Sequence, residues 1–175
     1  MLLDAVKAAG IIFLAAILQA SVFSDVKILG GSPDLLLVTL VAVALLRGSI
    51  VGAAAGFWGG IVIDTANLET LGVTSLLLTL AGYWIGRYGE TTGRDRTHAP
   101  FLAVGVVTIL YAFGALLLHF MLGEPAPARV VLVDALFPGI GLNLLLTLPV
   151  YAVCRRVFRP EAPRADRSQE VQLLG

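Results

Sequence analysis

The 175-residue chain is 58% hydrophobic and only 14% charged, whereas soluble globular domains contain about 25% charged residues. This composition excludes a soluble protein and leaves room for one membrane domain of about six spans. The single cysteine, Cys154, excludes a disulfide within the chain and a cysteine-based metal cage.

The first apolar run, residues 5–23, has about the length that spans a bilayer. A cleaved signal peptide is the competing interpretation, with a weak small-residue cleavage site at Gln19-Ala20-Ser21. We favour a retained helix, because the apolar run is long and Asp4 dilutes the positive charge that a signal peptide carries at its start.

The segment 33–65 predicts a tight helical hairpin. A single straight helix of this length would extend about 48 Å at ~1.5 Å per residue, whereas the hydrocarbon core of a bilayer is only ~30 Å thick. The natural break is Arg47-Gly48-Ser49, which separates apolar runs at 34–46 and 49–64.

Three further apolar runs follow, at 71–86, 100–122 and 130–154. The last is interrupted by Pro138-Gly139 and by Pro149, so we expect a kinked helix, or a short interfacial piece before the prolines and a span after them. Together the runs predict a single transmembrane domain over residues 1–158. The tail, 159–175, is rich in proline, arginine and acidic residues, and we expect it to be disordered and to touch anionic lipid headgroups.

The basic residues indicate the orientation of the chain. With six spans and the N-terminus inside, ten of the twelve lysines and arginines lie in cytoplasmic segments, and only Lys27 and Arg129 lie outside. This bias follows the positive-inside rule and predicts that both termini are cytoplasmic. A five-span arrangement changes the side of Lys7 and Lys27 only, so the charges do not exclude it, although the length of the hairpin segment argues against it.

A row of glycines marks the second helix of the hairpin, at Gly48, Gly52, Gly56 and Gly60. Residues four apart share one helix face, and glycine lets another backbone approach closely, which favours helix association in lipid. One interpretation is packing within this protein, most simply against the run at 71–86, which has its own Gly82 and Gly86. The other is contact with a membrane helix of a partner.

Polar side chains recur at the outer helix ends of the six-span arrangement. The set comprises Gln19, Asp34, Asp64, His119 and Asp134. Because an ionisable group within a span is costly unless it is paired or hydrated, we expect an outer hydrogen-bond network that holds helix ends together. Asp34 opens its helix and suits a capping role. A ligand or ion site, or docking of an extracytoplasmic partner, are the alternatives.

No soluble catalytic motif occurs in the sequence. Zinc-ligand spacing, a phosphate-binding P-loop, a dinucleotide fingerprint and a serine nucleophile elbow are all missing. We therefore predict a protein that is not an enzyme and that uses no cofactor or metal. A small membrane enzyme with Asp64 and Asp134 as an acid/base pair is the remaining catalytic hypothesis.

The ordered pattern of short motifs resembles the MreD family, a small membrane component of the bacterial rod-shape machinery. The resemblance covers roughly residues 1–158 and is most specific between 33 and 88. It rests on Leu18-Gln19, Pro33-Asp34-Leu35-Leu36-Leu37, Arg47-Gly48, Gly52, Gly56-Phe57, Gly60, Asp64, Leu71-Gly72, Tyr83, Arg87, Pro138, Asn143 and Leu148-Pro149 with Tyr151.

The resemblance implies a non-enzymatic scaffold of the cell-elongation complex in the bacterial inner membrane. Such proteins associate with MreC, a single-span protein with a large periplasmic domain. Through MreC they connect to cytoplasmic MreB filaments and to the RodA–penicillin-binding-protein pair that extends peptidoglycan. The resemblance implies no nucleic-acid partner.

The resemblance also implies a fold similar to the six-helix substrate-capture subunits of energy-coupling-factor vitamin transporters. A capture subunit is therefore the main competing function. It would need an outward cavity with several polar or aromatic ligand groups, whereas a scaffold needs only a stable bundle and exposed helix faces for its partners. The thin set of outer polar residues favours the scaffold.

Overall fold

The computed structural model describes residues 2–23, 26–28, 30–68, 70–92, 98–123 and 136–158. Apart from one isolated bridge between Ile28 and Gly31, the regular structure of this part is helical, as predicted. Its helices are α1 (Leu2–Leu18), α2 (Leu35–Arg47), α3 (Ser49–Asn67), α4 (Val73–Thr92), α5 (Ala99–Met121) and α6 (Leu136–Val157). α1 continues into a π-helical turn over Gln19–Phe23.

Four of the helices are long and apolar enough to cross a membrane, namely α1 with its π-helical turn, α3, α5 and α6. α2 is apolar but only 13 residues long, short of the ~20 residues that a spanning helix needs. The expectation of about six spans is thus confirmed by length and composition for four of the described helices. Large apolar side chains on their outer faces, such as Phe113 and Leu117 of α5, are exposed, as expected of surfaces that face lipid.

The predicted hairpin is confirmed. α2 ends at Arg47 and α3 begins at Ser49, so Gly48 alone forms the connection. Its φ of +93° lies in the region that favours glycine. A one-residue connection therefore reverses the chain between two packed helices.

Helix α2 lies at the centre of the bundle. All its residues from Leu36 to Leu45 are buried, and every other helix packs against it. Around α2 the packed neighbours follow the order α1, α3, α4, α5 and α6. The ring of helices stays open between α6 and α1, where a cleft of about 270 Å³ separates the two.

The bundle has an Arg47 end and an Asp34 end, which correspond to the last residue of α2 and to the residue that precedes this helix. The Arg47 end holds the start of α1, the α2–α3 turn and the end of α6, whereas the Asp34 end holds the start of α2. At the last helix, Pro138 lies in the first turn, where the missing N–H has no intrahelical partner to lose. α6 continues without interruption through Pro149 to Val157. The predicted separate piece before the prolines, the tail 159–175 and Asp134 lie outside the described residues.

Candidate functional site

The glycine row of α3 packs against α4. A Cβ built on Gly52 would overlap the carbonyl oxygen of Gly82, one on Gly56 would overlap that of Leu78, and one on Gly60 would overlap the backbone of Ser75. Backbone atoms cannot rotate away as a side chain can, so this interface depends on the missing side chains. Within the described structure, the row is occupied by this chain's own helix.

A serine reinforces the same helix crossing. The Ser75 hydroxyl of α4 donates a hydrogen bond to the carbonyl oxygen of Phe57 in α3, at 3.0 Å. Hydroxyl–carbonyl bonds of this kind hold helices together where no water competes. The α3–α4 pair therefore combines close backbone packing with a polar bond between the helices.

Gly48 differs from the rest of the row, because its neighbour is a side chain. A Cβ on Gly48 would overlap the carboxylate of Glu90 near the end of α4. Glu90 Oε1 accepts hydrogen bonds from the Ser49 backbone N–H at 2.8 Å and from the Ser49 hydroxyl at 3.0 Å. The carboxylate thus caps the first turn of α3 from another helix. The two hydrogen bonds from Ser49 hold the pKa of Glu90 below its ordinary value.

Arg47 ties the opposite side of the same turn to α1 and α6. Its Nη2 lies 2.6 Å from Asp4 Oδ1 and 3.4 Å from the carbonyl oxygen of Phe158. The guanidinium carbon also lies 4.9 Å from the centre of the Phe158 ring, a cation–π contact. The Arg47 end is thus held together by polar contacts around a single one-residue turn.

At the Asp34 end, a polar cluster joins four elements of the bundle. Asp34 caps α2 by accepting the Leu37 N–H at 2.8 Å. Its own backbone N–H donates to Asn143 Oδ1 of α6 at 2.7 Å, and Asn143 Nδ2 donates to the Thr108 hydroxyl of α5 at 3.1 Å. From the π-helical turn, Gln19 Oε1 accepts the Leu35 N–H at 2.7 Å. The residue Asn143 is buried, so these bonds are shielded from competing solvent.

Asp64 lies in a second polar cluster, between the end of α3 and the start of α4. Its Oδ2 accepts the Gly72 N–H at 2.8 Å and the Ser75 N–H at 3.5 Å. The residue is fully buried, and its Oδ1 has no hydrogen-bond partner among the described residues. The carboxylate thereby connects the end of α3 to the α3–α4 loop and to the first turn of α4.

The predicted outer network is described only in part. The structure brings Gln19 and Asp34 together and places Asp64 in a separate cluster. The side chain of His119 and all of Asp134 lie outside the described residues. Their role in such a network, and the acid/base pairing of Asp64 with Asp134, stay predictions.

Sequence reasoning missed Glu90, Thr108 and Ser49 as members of these clusters, and named Asn143 only within the family pattern. One signal for Asn143 was available, because an amide within an apolar span is costly without a partner. No sequence signal pairs Glu90 with Ser49, since the pairing depends on how α4 crosses the α2–α3 turn. It is the tertiary packing that makes Glu90 a cap.

Two cavities between the helices offer few polar groups that could bind a ligand. A groove of about 600 Å³ between α4 and α5 and the 270 Å³ cleft between α1 and α6 are lined almost entirely by apolar side chains. No group of three or more His, Cys, Asp or Glu residues that could hold a metal occurs in the described ranges. The side chains of the polar clusters form hydrogen bonds mainly with backbone groups of this chain, so their role is to hold the helices in position.

The comparisons with known proteins point to one family. The model of the family described as "rod shape-determining protein MreD" matches residues 6–157. No curated protein and no solved structure matches the chain. The matched region runs from α1 to the end of α6 and contains both polar clusters and the glycine interface.

Proposed function

We propose a scaffold function for this chain, which belongs to the MreD family of rod shape-determining membrane proteins. In this proposal the chain binds an MreC-like single-span protein in the inner membrane. Through that partner it helps to organise peptidoglycan synthesis by the RodA–penicillin-binding-protein pair and its link to MreB filaments. The observation that carries the proposal is the family match over residues 6–157.

The internal packing of the bundle supports a scaffold. The α3–α4 interface, the Arg47 contacts and the Asp34 cluster all connect helices of this chain to one another. Because the glycine row is covered by α4, we place the partner contacts on other faces. Exposed apolar stripes such as the one on α5, which includes Leu110 and Leu117, are the surfaces left for a partner's membrane helix.

The charges support an orientation with the Arg47 end in the cytoplasm. That end carries Lys7, Arg47, Arg87, Arg155 and Arg156, and Lys27 lies in the connection that leads to the Asp34 end. The positive-inside rule assigns the basic end to the cytoplasm. A partner with a large extracytoplasmic domain would then meet the Asp34 end of the bundle.

The competing function, a vitamin-capture subunit, has no specific observation in its favour. Such a subunit needs polar groups that converge on a ligand, whereas the α4–α5 groove and the α1–α6 cleft described above are lined almost entirely by apolar side chains. The predicted likeness to the fold of capture subunits also stays a prediction, since no solved structure matches.

The test of the scaffold is expression of the tagged chain in a rod-shaped bacterium depleted of its own MreD. We expect restored rod shape and, after mild-detergent purification, recovery of an MreC-like single-span protein with cell-wall synthesis components by mass spectrometry. A photo-crosslinking amino acid at Leu117, on the exposed face of α5, compared with one at Leu145, on the exposed face of α6, locates the contact. Recovery of a transmembrane coupling subunit with paired ATPases would instead identify a capture subunit.

A further inference from the structure

The cleft between α1 and α6 extends inward from the surface of the bundle as far as the central helix. Its walls include Ile11, Leu14 and Leu18 of α1 together with Pro149 and Val153 of α6, and its floor includes Thr39 of α2. Leu14 is 60% exposed and Val153 is 57% exposed. The Thr39 hydroxyl already donates to the Leu35 carbonyl oxygen at 2.7 Å. The cleft therefore offers an apolar surface with its polar atom satisfied.

Two basic residues continue the walls of this cleft toward the Arg47 end. Lys7 is four residues before Ile11 and seven before Leu14, so it shares their face of α1. Arg156 is three residues after Val153 and seven after Pro149, so it shares their face of α6. Neither cation forms an ion pair with a described residue. Two unpaired cations thus flank one mouth of an apolar cleft.

An acidic residue on the same face of α1 does not cancel these charges. Asp4 precedes Lys7 by one turn, and its carboxylate is held by Arg47 at 2.6 Å. The positive charge of Arg47 offsets the negative charge of Asp4, so among the described residues on these two helix faces Lys7 and Arg156 carry the remaining charge. A negatively charged group is therefore the ligand that matches the two cations at this mouth.

The volume of the cleft favours an acyl chain over a helix as its occupant. Its volume is about 270 Å³, whereas an α-helix with side chains is ~10–12 Å wide, so a helix could lie over the cleft but not within it. A hydrocarbon chain is thinner than a helix and can lie against the apolar side chains that line this cleft. Basic pockets between transmembrane helices are known binding sites for anionic lipid headgroups.

Among the described residues, the larger groove between α4 and α5 shows no comparable pair of cations. The basic residue nearest to it on α4, Arg87, already pairs with Glu90 at 3.4 Å. That groove is apolar along its length, and nothing in it distinguishes an anionic lipid from a neutral one. Of these two cavities, the α1–α6 cleft is the one that combines an apolar wall with cations that form no ion pair with a described residue.

We propose that the α1–α6 cleft binds an anionic glycerophospholipid, with an acyl chain between Leu14 and Val153 and the phosphate held by Lys7 and Arg156. The lipid fills the gap between the first and last helices, above Thr39 of α2. This site goes beyond the scaffold function and does not depend on it. It links the membrane's lipid composition to the packing of the bundle.

The test is native mass spectrometry of the purified full chain in detergent, titrated with phosphatidylglycerol or phosphatidylethanolamine. We expect preferential retention of phosphatidylglycerol. Lys7→Gln and Arg156→Gln should each weaken that binding about fivefold and leave phosphatidylethanolamine binding unchanged. Arg155→Gln is the matched control, because it removes the same charge from the neighbouring position, which points away from Val153.

A second variant tests the apolar part of the site. Val153→Trp places a bulky side chain in the cleft at an exposed position, so the bundle should fold and lose the binding of both lipids at this site. Equal retention of the two lipids by the natural chain, or equal effects of Arg155→Gln and Arg156→Gln, would overturn the proposal.

Crosslinking in native membranes separates a lipid from a protein occupant. A photo-crosslinking amino acid at Leu14 should yield a lipid adduct. A protein helix captured there in place of lipid would overturn the lipid site and leave the scaffold function intact. Failure to bind an MreC-like protein, with lipid binding retained, would count against the scaffold alone.

Discussion

Gly52 of α3 and Gly82 of α4 face each other so closely that a Cβ on either residue would overlap the carbonyl oxygen of the other. The relationship is reciprocal, so neither helix can accept even an alanine there without moving the backbone. In lipid, where apolar side chains gain little by leaving the solvent, such close packing is a main source of helix association. The α3–α4 pair is therefore the part of the bundle most sensitive to added volume.

Gly56→Leu should destabilise the bundle severely. The new side chain would meet the backbone of Leu78 and Thr79. Overpacking typically costs about 1–3 kcal/mol, and the upper end of this range is expected where the atoms in the way cannot rotate away. We expect a large drop in the midpoint of thermal unfolding in detergent, measured by size-exclusion chromatography after heating, and a loss of partner recovery that follows from it.

Gly105→Leu is the matched control for this prediction. Gly105 lies within α5, and a Cβ there would have no atom within 4 Å. The same substitution should therefore leave the unfolding midpoint nearly unchanged. A stable, partner-competent Gly56→Leu protein would show that α3 and α4 do not pack as described.

Asn143→Leu should separate α6 from its neighbours at the Asp34 end. The substitution leaves the Asp34 N–H and the Thr108 hydroxyl without their partner, and a buried polar group left unpaired costs about 1–3 kcal/mol. We expect the free energy of unfolding in a denaturing-detergent titration to fall by about this amount.

A second substitution, one turn along the same face, isolates the effect of the contacts between helices. The buried Thr147 bonds only to the Asn143 carbonyl oxygen within α6. Thr147→Val keeps the shape and should cost less than about 1 kcal/mol, because it loses a local bond only. Equal costs for the two variants would mean that Asn143 does not connect the helices.

The sequence allowed the helices to be predicted because each depends on local signals. Glycine in a short polar break located the α2–α3 turn at Gly48, and the apolar run at 100–122 located α5 to within one residue at each end. For the last run the sequence left two alternatives, a kinked helix or a short piece before the prolines and a span after them. In the described residues α6 continues past Pro149, because a proline removes one hydrogen bond without ending this helix. Local patterns therefore predicted element type and left element continuity open.

The site was less predictable, because its contacts connect residues far apart in the chain. Asp34 was expected to cap α2, but its bond to Asn143 spans 109 positions. Depth in the membrane grouped Asp64 with Asp34, although Asp64 bonds to the loop before α4 instead. A topology prediction gives the depth of a residue but not its neighbours around the bundle, and the neighbours decide which polar groups meet.

Asp64→Asn should be milder than Asp64→Leu. The amide oxygen of asparagine can still accept the Gly72 N–H, whereas leucine leaves that N–H and the Ser75 N–H without the acceptor they have now. The difference in free energy of unfolding should be about 1–3 kcal/mol. Thr65→Val, at the exposed next position, controls for a change at the end of α3. Equal losses of stability and of partner recovery for Asn and Leu would instead point to the negative charge itself.

Glu90→Gln should lower the stability of the protein at neutral pH and lose that effect in acid. Hydrogen bonds from Ser49 hold the pKa of Glu90 below its ordinary value of 4.5. A carboxyl whose folded-state pKa is lowered stabilises the folded state above the unfolded value, and this contribution disappears as the pH falls through the folded pKa. The gap in unfolding midpoint between the natural chain and Glu90→Gln should therefore be full at pH 7 and narrow below about pH 4.5.

The control for this pH dependence is Arg87→Gln, which removes the 3.4 Å ion pair with Glu90 and keeps the bonds from Ser49. An exposed pair of this kind contributes little, so the Arg87 variant should keep most of the acid sensitivity of the natural chain. Unfolding midpoints measured from pH 7 to pH 3.5 for the three proteins decide the matter. A difference in unfolding midpoint between the natural chain and Glu90→Gln that stays constant with pH would show that the carboxylate does not cap α3. The α2–α3 turn would then be held by the contacts of Arg47 and not by Glu90.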